Sequence, residues 1–508
     1  MSENAWNPLP QGVLTDDFFH NLKLIQSAAH TEESEDVQVR RFLILGQEAA
    51  LIYVDGMVSD TKIQHFLLQP ALHAPPLPEN GDLGEHLEKS VLPLCSLTPS
   101  AQLSTLLNRI FSGDAALICH TLPGALLCDV KGFVKRAVNQ PVNETVIVGP
   151  HEGFTESLRE NVVLIRRLLR SPALISEQME VGEKVPTRIC LLYLNGIARQ
   201  ETVQEVKRRL QGCHTDYVSS LGMLEQLIED RPFSLFPQVA ATERPDRAVS
   251  FLNEGQIVIA MENAPNVMAV PMGILHLYHA PDDSALRWQY GTFLRLLRLA
   301  GILIALLLPA VFIALTIYHP ESMPLSLLTS VLETQARVPL SLFSSMLLML
   351  LVFSLINEAG ARIPGAMGGS LSIVSGLILG QAAVDADLFS PLIIIVVAIS
   401  GLGSYTVPTF SLTLSLRLFQ FLLLLAAGMA GYLGLVLGLF FLLMRMSGLT
   451  SMNHPYFAPL APLRPSNPDS VSRLPIWRQR LRGAIANPFH MRRLSGRMRA
   501  WDQKEDSK

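Results

Sequence analysis

The 508-residue sequence is poor in cysteine, and its few cysteines are badly spaced for cross-linking or metal binding. They are Cys95, Cys119, Cys128, Cys190 and Cys213, an odd number with no C-x-x-C pair. Disulfide frameworks and zinc sites need paired or closely spaced thiols. The sequence therefore predicts reduced thiols in buried strands.

Enzyme signatures are absent as well. The sequence has no G-x-x-x-x-G-K-[ST], H-E-x-x-H or G-x-S-x-G motif and no Cys/His spacing typical of a metal site. Asp55 and Asn195 occupy a repeated turn, and His120 fits a hairpin, so a structural role is favoured for each. The basic run at 166–170 fits the solvated face of an amphipathic helix better than a nucleic-acid patch. We expect no catalytic residue, metal, cofactor or nucleic-acid partner.

Charge is absent from long stretches of the second half. Residues 299–318 (LAGILIALLLPAVFIALTIY), 338–356 and 418–444 contain no charged side chain. A helix of such a length, rising about 1.5 Å per residue, matches a hydrocarbon core of about 30 Å. Residues 371–384 and 391–406 are also apolar, but they are shorter and contain glycine or proline. The second half is therefore predicted to be an all-α polytopic membrane domain.

Arginines flank these apolar runs and predict their orientation. They precede the first run, follow the second and the last, and fill the tail: Arg287, Arg295, Arg298, Arg362, Arg445, Arg464, Arg473, Arg478, Arg480, Arg482, Arg492, Arg493, Arg497 and Arg499. The positive-inside rule then makes both termini cytoplasmic and the number of crossings even. The opening segment has no secretory signal, which agrees with a cytoplasmic head. Either residues 371–384 are re-entrant and four crossings remain, which we favour, or residues 391–444 contain an extra break that makes six.

The first half contains one unit twice. Residues 50–64 (ALIYVDGMVSDTKIQ) match residues 190–204 (CLLYLNGIARQETVQ), and residues 114–130 resemble residues 256–270. In the first pair a strand leads through Tyr-x-Asp/Asn-Gly into a helix, and the Asp/Asn-Gly step supplies a turn with positive φ. In the second pair two short strands enclose a proline-containing turn. The pattern predicts an α/β soluble head of two similar subdomains.

These patterns divide the chain into six parts. They are an N-terminal segment (1–34), α/β subdomain I (35–148), a helical linker (149–174), α/β subdomain II (175–285), the transmembrane domain (286–450) and a basic cytoplasmic tail (451–508).

A few polar residues beside the apolar runs are candidates for an ion path, because ionisable groups in a membrane normally face water or a bundle interior. They are Glu358, Gln381, Asp385, Asp387, Ser404 and Thr406. The alternative puts Asp385 and Asp387 in an aqueous loop, which we favour for these two, and pairs Glu358 with Arg362 at the membrane surface.

The last apolar run contains regularly spaced small residues. Ala427, Gly431, Gly434 and Gly438 recur at i, i+4, i+7 and i+11. On one helix this spacing makes a single small-residue face, which favours close helix packing over the alternative role of pore lining.

Several stretches together carry a family resemblance. They are residues 149–170 (GPHEGFTESLRENVVLIRRLLR), 229–247 (EDRPFSLFPQVAATERPDR), 293–318 with the following HPESMP, and 453–462 (NHPYFAPLAP). Across roughly residues 40–465 the chain resembles the A subunit of the GerA-type spore germinant receptors. The stretch FPQVAATERPDR favours receptor A subunits over their paralogue, the stage V sporulation protein AF. The sequence departs from the family at Asn195, where an acidic residue is common, and at the two alanines before Thr242.

The resemblance implies a place and a role. Such proteins belong to the inner membrane of the dormant spore and work with a transporter-like B subunit and a lipoprotein C subunit. It further implies a homo-oligomer whose membrane domain forms a nutrient-gated cation path, and it carries over no catalytic residue. A secondary transporter is the alternative. Against it, the hydrophobic block has few spans and the repeat lies in the head.

Overall fold

The computed structural model describes residues 10–74, 83–94, 96–120, 122–132, 141, 144, 149–362, 380–464, 466, 469–493 and 501. The predictions for Cys95 and for most of the proposed re-entrant segment (371–379) lie outside these residues.

Two units of the same architecture form the head. The first contains α1 (Phe18–Ala28), β1 (Val37–Ile44), β2 (Gln47–Val54), α2 (Asp60–Lys62, continuing through Ile63–Leu68 and Gln69–Leu72), α3 (Leu83–His86, continuing through Leu87–Val91), β3 (Leu97–Ser100), α4 (Leu103–Ile110), β4 (Ala115–Cys119) and β5 (Ala125–Cys128). The second contains α5 (Leu158–Leu168), β6 (Leu174–Val181), β7 (Thr187–Leu194), α6 (Gln200–Gln211), α7 (Leu221–Ile228), β8 (Ala240–Thr242), α8 (Pro245–Asn253), β9 (Ile257–Met261) and β10 (Val267–Val270).

The two units have the same sheet topology. Their antiparallel sheets have the strand orders β1-β2-β4-β5-β3 and β6-β7-β9-β10-β8, so equivalent strands occupy equivalent places. The repeated motif joins β2 to α2 and β7 to α6, and Gly56 and Gly196 in its turns have φ of +75° and +79°. The second pair of similar stretches forms the β4–β5 and β9–β10 hairpins. The predicted duplication is confirmed.

Each sheet is covered on both faces, which explains its apolar central strands. In the first unit α1 and α4 cover one face, and α2 and α3 cover the other. In the second, α5 and α8 lie opposite α6 and α7. Every residue of β4 and β9 is buried as a result. Three cysteines lie in such strands, and burial raises the pKa of the Cys119, Cys128 and Cys190 thiols to about 12. The cysteine prediction is confirmed for these three, whereas Cys213 is half-buried beyond the end of α6.

A side-chain clamp marks the start of each unit. The side chain of Asn21 accepts a hydrogen bond from the backbone N–H of Thr15 (2.8 Å) and donates one to the Thr15 carbonyl (2.5 Å). Asn161 makes the same pair of bonds with Thr155, at 2.8 and 2.6 Å. The two clamps are 140 positions apart in the sequence, which is also the separation of the two copies of the strand motif. We therefore propose that α1 and α5 are the first helices of the two units, rather than a separate terminal segment and a linker.

Helix α5 also joins the two units, and one sequence expectation fails there. Arg166 was expected on a solvated face, but its side chain is 1% exposed and forms a two-pronged ion pair with Asp36 (2.7 and 2.8 Å). The guanidinium also donates to Ser34 Oγ (3.0 Å) and lies over the ring of Phe111. The expectation is wrong because this part of α5 packs against the first unit, where only a paired charge is stable.

Helices predominate in the described residues between β10 and Ser447. They are α9 (Ile274–Tyr278), α10 (Asp282–Ala285), α11 (Trp288–Ile313, continuing as a wider turn at Ala314–Tyr318), a short helix at Pro320–Ser322, α12 (Leu325–Gln335), α13 (Leu342–Arg362), α14 (380–385), α15 (Pro391–Ser404) and α16 (Phe410–Ser447). A hairpin of β11 (Thr450–Ser451) and β12 (His454–Pro455) and a helical turn at Ile476–Arg478 follow. Within the described ranges, three helical segments are long and apolar enough to cross a membrane: Trp288–Tyr318, Leu342–Gly360 and Phe410–Ser447.

Side-chain contacts define the two ends of this bundle. Helix α11 leaves the head, and at its far end the hydroxyl of Tyr318 donates to the Gly428 carbonyl (2.6 Å). Helix α15 starts at the far end, where Ser390 Oγ donates to Thr334 Oγ1 of α12 (3.0 Å). It ends on the head side, where Tyr405 bonds to Asn357 near the end of α13. Helix α13 therefore runs back toward the head.

Helix α16 is a hairpin. Ala430 (φ −140°, ψ 20°) and Gly431 (φ +58°, ψ −136°) have non-helical backbone angles and reverse the chain. Both ends of the hairpin contact the head. Before the first arm, Thr409 Oγ1 donates to the Leu277 carbonyl (2.7 Å), and after the second arm Thr450 donates to the Asp230 carboxylate. The expectation of one uninterrupted helix over residues 418–444 is wrong, because the chain turns back within it. The extra break of the six-crossing alternative is present.

The small residues of α16 consequently belong to two antiparallel arms. Ala427 precedes the reversal, Gly431 forms it, and Gly434 lies against Ala426 of the first arm. A Cβ at Gly438 would come within 2.8 Å of Leu423 Cδ2. The four residues do not form one face of a continuous helix, because the chain turns back between them.

The C-terminal tail packs onto the second unit. Arg482 Nε donates to the Asn253 carbonyl (2.8 Å), and the Phe489 N–H donates to the Ile197 carbonyl (2.9 Å). Residues 484–486 are buried. The tail therefore lies at the head-side end of the bundle.

Candidate functional site in the bundle and at its junction with the head

The six predicted ion-path residues fall into two groups at opposite ends of the bundle. Ser404 and Thr406 lie at the head-side end of α15, and Glu358 lies near the head-side end of α13. The other three precede α15 at the far end: Gln381, Asp385 and Asp387. Helix α15 has 14 residues and so separates the groups by about 21 Å. Within one chain they do not form a single constellation.

The far-end group is exposed on an anchored turn. Gln381, Asp385 and Asp387 are all exposed, and Asp387 has a φ of +52°. The turn is held by Ala383 and Phe389, which are buried in the apolar core of the far half of the bundle. The carboxylates therefore face outward from the single chain.

The head-side hydroxyls serve a close helix crossing. Ser404 Oγ donates to the Gly401 carbonyl (2.7 Å), and Thr406 Oγ1 donates to the Gly403 carbonyl (2.8 Å). A Cβ on Gly301 of α11 would collide with Thr406 Oγ1. Both hydroxyl donors are thus used within the end of α15, where that helix meets α11.

A polar contact around the buried Ser400 connects three bundle helices. Ser400 Oγ of α15 donates to the Ala305 carbonyl of α11 (3.0 Å), and Gln420 Nε2 of α16 donates to Ser400 Oγ (2.6 Å). Hydrogen bonds of this kind hold helices together where no water can replace them. Sequence reasoning missed Gln420, for which the only signal is one amide within an apolar run.

The junction between head and bundle contains a buried charge cluster that the sequence analysis did not find. Asp283 of α10 is 1% exposed. It accepts hydrogen bonds from Arg295 Nε (3.0 Å) and from Arg298 Nη1 (3.1 Å), one helical turn apart on α11. Burial would raise the pKa of Asp283, but hydrogen bonds and charge from Arg298 and Arg295 hold it below the ordinary value. The first bundle helix is thereby tied to the head through a paired carboxylate.

Backbone groups and the tail complete this junction. Arg298 Nη1 donates to the Tyr278 carbonyl (3.0 Å), and Arg295 Nη1 donates to Asp469 of the tail (2.5 Å). His279 Nε2 lies 2.7 Å from the Ser470 carbonyl. Head, first bundle helix and tail therefore meet at one point. Arginines placed before an apolar run were the signal, but sequence reasoning used them only for orientation.

The chain is similar to proteins of one family over most of its length. The model of the Bacillus/Clostridium GerA spore germination protein matches residues 24–485. Spore germination protein KA of Bacillus subtilis (strain 168) is 33% identical over 448 residues, 87% of this chain and 82% of that protein. Spore germination protein GerLA of Bacillus cereus is 31% identical over 429 residues, 84% of this chain and 87% of that protein. A crystal structure of the N-terminal domain of the A subunit of the Bacillus megaterium spore germinant receptor GerK3 is 28% identical, with a TM-score of 0.41, covering 52% of this chain and 97% of that one.

Proposed function

Because the chain belongs to the GerA family of spore germination proteins, we propose that it is the A subunit of a nutrient germinant receptor in the inner membrane of the spore. In this role it assembles with a transporter-like B subunit and a lipoprotein C subunit. Nutrient sensing by the complex opens a cation path formed by several copies of this chain.

Carboxylates on the outer surface of a single bundle support a path formed between copies of the chain. Among the described residues, the buried Ser400 bonds to the half-buried Gln420, so the polar groups of these two side chains are used within one bundle. Carboxylates stand on the outer surface instead, at Glu358, Asp385 and Asp387. Such groups are costly against lipid and are normally placed toward water or other helices.

Helix α13 carries the proposal, because it is the least covered of the apolar helices. Its most apolar 18-residue window is 22% buried, compared with 39% for the window in α11. Its exposed face runs along the helix through Ser344, Leu348, Leu351, Leu355 and Glu358. This face has a polar residue at each end and leucines between them. That pattern fits the wall of a narrow path whose two openings are hydrated. Carboxylates at such mouths favour cations.

The contact between head and tail supports the orientation. Helices α11, α13 and α15 and the two arms of α16 make five passes, and packing of tail on head makes the total even. We infer six crossings with both termini in the cytoplasm, the side indicated by the flanking arginines.

The test is potassium efflux from spores during the nutrient response. Glu358→Gln and Asp385→Asn each remove one charge from a mouth of the path, and each should slow efflux severalfold without lowering the abundance of the receptor subunits. Glu333→Gln on α12 is the matched control, since Glu333 is an exposed far-side carboxylate outside the proposed path. Normal efflux in both variants would remove these carboxylates from the path, leaving Ser404 and Thr406 as the next candidates.

A further inference from the structure

The two arms of α16 enclose a cleft that the proposed function does not use. Its volume is about 200 Å³, and its lining includes Phe419 and Leu422 of the first arm and Gly438, Phe441 and Leu442 of the second. The cleft opens to the outside of the bundle, where Leu422 and Phe441 are 51% and 56% exposed. Its walls are almost entirely apolar.

One end of the cleft carries a positive charge. Arg445 belongs to the lining and is exposed. It lies fourteen residues after Gly431, about 21 Å from the hairpin tip at the helical rise. The guanidinium forms no ion pair within the part of the chain that the structure describes. A free arginine thus stands at the head-side end of an apolar cleft.

A loop of the head marks the same end as the membrane surface. Phe233 is fully exposed at 102%, and Leu235 is 44% exposed. The loop is fixed to the first arm, because Ser415 donates to the Leu235 carbonyl and the ring of Phe236 stacks on Phe419 at 4.7 Å. The loop therefore presents exposed apolar side chains at the head-side end of the first arm, the end that the flanking arginines assign to the membrane surface.

We propose that this cleft binds an anionic phospholipid of the head-side leaflet. One acyl chain lies between the arms of α16, and the headgroup phosphate accepts hydrogen bonds from Arg445. A guanidinium matches phosphate oxygens in a two-pronged geometry, and the cleft walls match a hydrocarbon chain. The charge at the end of the cleft selects an anionic headgroup, while the apolar walls exclude a free phosphate as the occupant.

The experiment uses the full chain in vesicles of phosphatidylglycerol and phosphatidylcholine, with a trace of phosphatidylglycerol carrying a photoreactive diazirine in its acyl chain. Labelling is mapped by mass spectrometry of peptides. We expect labels on residues 419–445, displaced by unlabelled phosphatidylglycerol but not by phosphatidylcholine. Arg445→Gln should reduce labelling about fivefold, the effect expected for one arginine at an anionic membrane surface.

Arg417→Gln is the matched control. Arg417 stands near the same depth on the first arm but does not line the cleft, so this variant should be labelled like the parent. Leu422→Trp fills the cleft from an exposed position and should abolish labelling. Thermal unfolding of each variant verifies that it is folded. The displacement of the photoreactive lipid by unlabelled lipid is measured on the parent chain and needs no variant.

Three results would overturn the proposal. The first is an absence of labels in residues 419–445 of the parent chain. The second is equal displacement by both lipids, or equal loss of labelling in the Arg445 and Arg417 variants. The third is efficient cross-linking between copies through a cysteine at Phe441, since a second copy of the chain would then occupy the cleft.

Discussion

Arg166 stabilises the boundary between the two units of the head. Its guanidinium pairs with Asp36, and both side chains are buried. Arg166→Gln should lower the free energy of unfolding by about 3–5 kcal/mol, because it leaves the Asp36 carboxylate buried without a counter-charge. Thermal and denaturant unfolding of the full chain in detergent measures this loss.

The neighbouring residue supplies the control for that change. Arg167 forms a half-exposed pair with Glu152 at 3.4 Å, so Arg167→Gln should cost less than about 1 kcal/mol. Similar losses of unfolding free energy in the two variants would contradict the view that burial determines how much the Arg166–Asp36 pair stabilises the head.

Two half-buried imidazoles should make the junction sensitive to acid. Burial, aided by nearby arginines, lowers the pKa of His276 and of His279 to about 3. The unfolded chain retains a pKa near 6.5, so it binds more protons between pH 6.5 and 3, and stability falls as the pH falls through that window. At pH 5 each imidazole should cost about 2 kcal/mol relative to pH 7.

The measurement is thermal unfolding of the full chain at pH 7 and pH 5. His279→Gln keeps a donor for the Ser470 carbonyl and removes one titrating group, so it should remove about half of the acid effect. An unchanged difference between the two pH values would show that His279 does not titrate on unfolding.

At the scale of elements, the hairpin form of α16 makes a distance prediction. Arg417 and Arg445 are 28 residues apart, which is about 42 Å along a straight helix. In adjacent antiparallel arms the helix axes lie only about 10 Å apart. Spin labels on cysteines at these two positions, in a variant without the native cysteines, should report the short distance. A distribution centred near the long distance would contradict the reversal at Gly431.

The same element shows why some features could be predicted and others could not. The motif around Asp55 and Asn195 was visible, because glycine at positive φ leaves a distinct mark between strand and helix. The reversal at Ala430 and Gly431 leaves no such mark, since both arms are apolar and the turn needs only one glycine. The Thr15–Asn21 and Thr155–Asn161 clamps were readable as T-x5-N at the spacing of the repeat, but they were missed.

Charged residues also show which features the sequence can predict and which it cannot. The spacing of apolar residues in α5 assigned Arg166 to a solvent-exposed polar face. Sequence spacing cannot reveal that the first unit of the head covers that face. The junction of Asp283 with Arg295 and Arg298 depends on a contact between α10 and α11 that only the folded chain specifies.

For the whole molecule, packing of head against tail predicts which sites share a side of the membrane. Cysteines at Ser219 in the head and at Ser322 beyond α11 should react with impermeant thiol reagents from opposite sides of oriented vesicles. A cysteine at Ser466 in the tail should react together with the one at Ser219. Joint labelling of the Ser322 and Ser219 sites from one side would contradict the arrangement of the bundle.

The position of the tail has a consequence for biosynthesis. Residues 482–489 cover Asn253 and Ile197 of the second unit, yet the ribosome produces them only after the whole bundle has emerged. The head therefore cannot be completed during its own translation. Its uncovered surface stays exposed until membrane insertion is over, so a chain truncated after α16 would present an unfinished head to proteases.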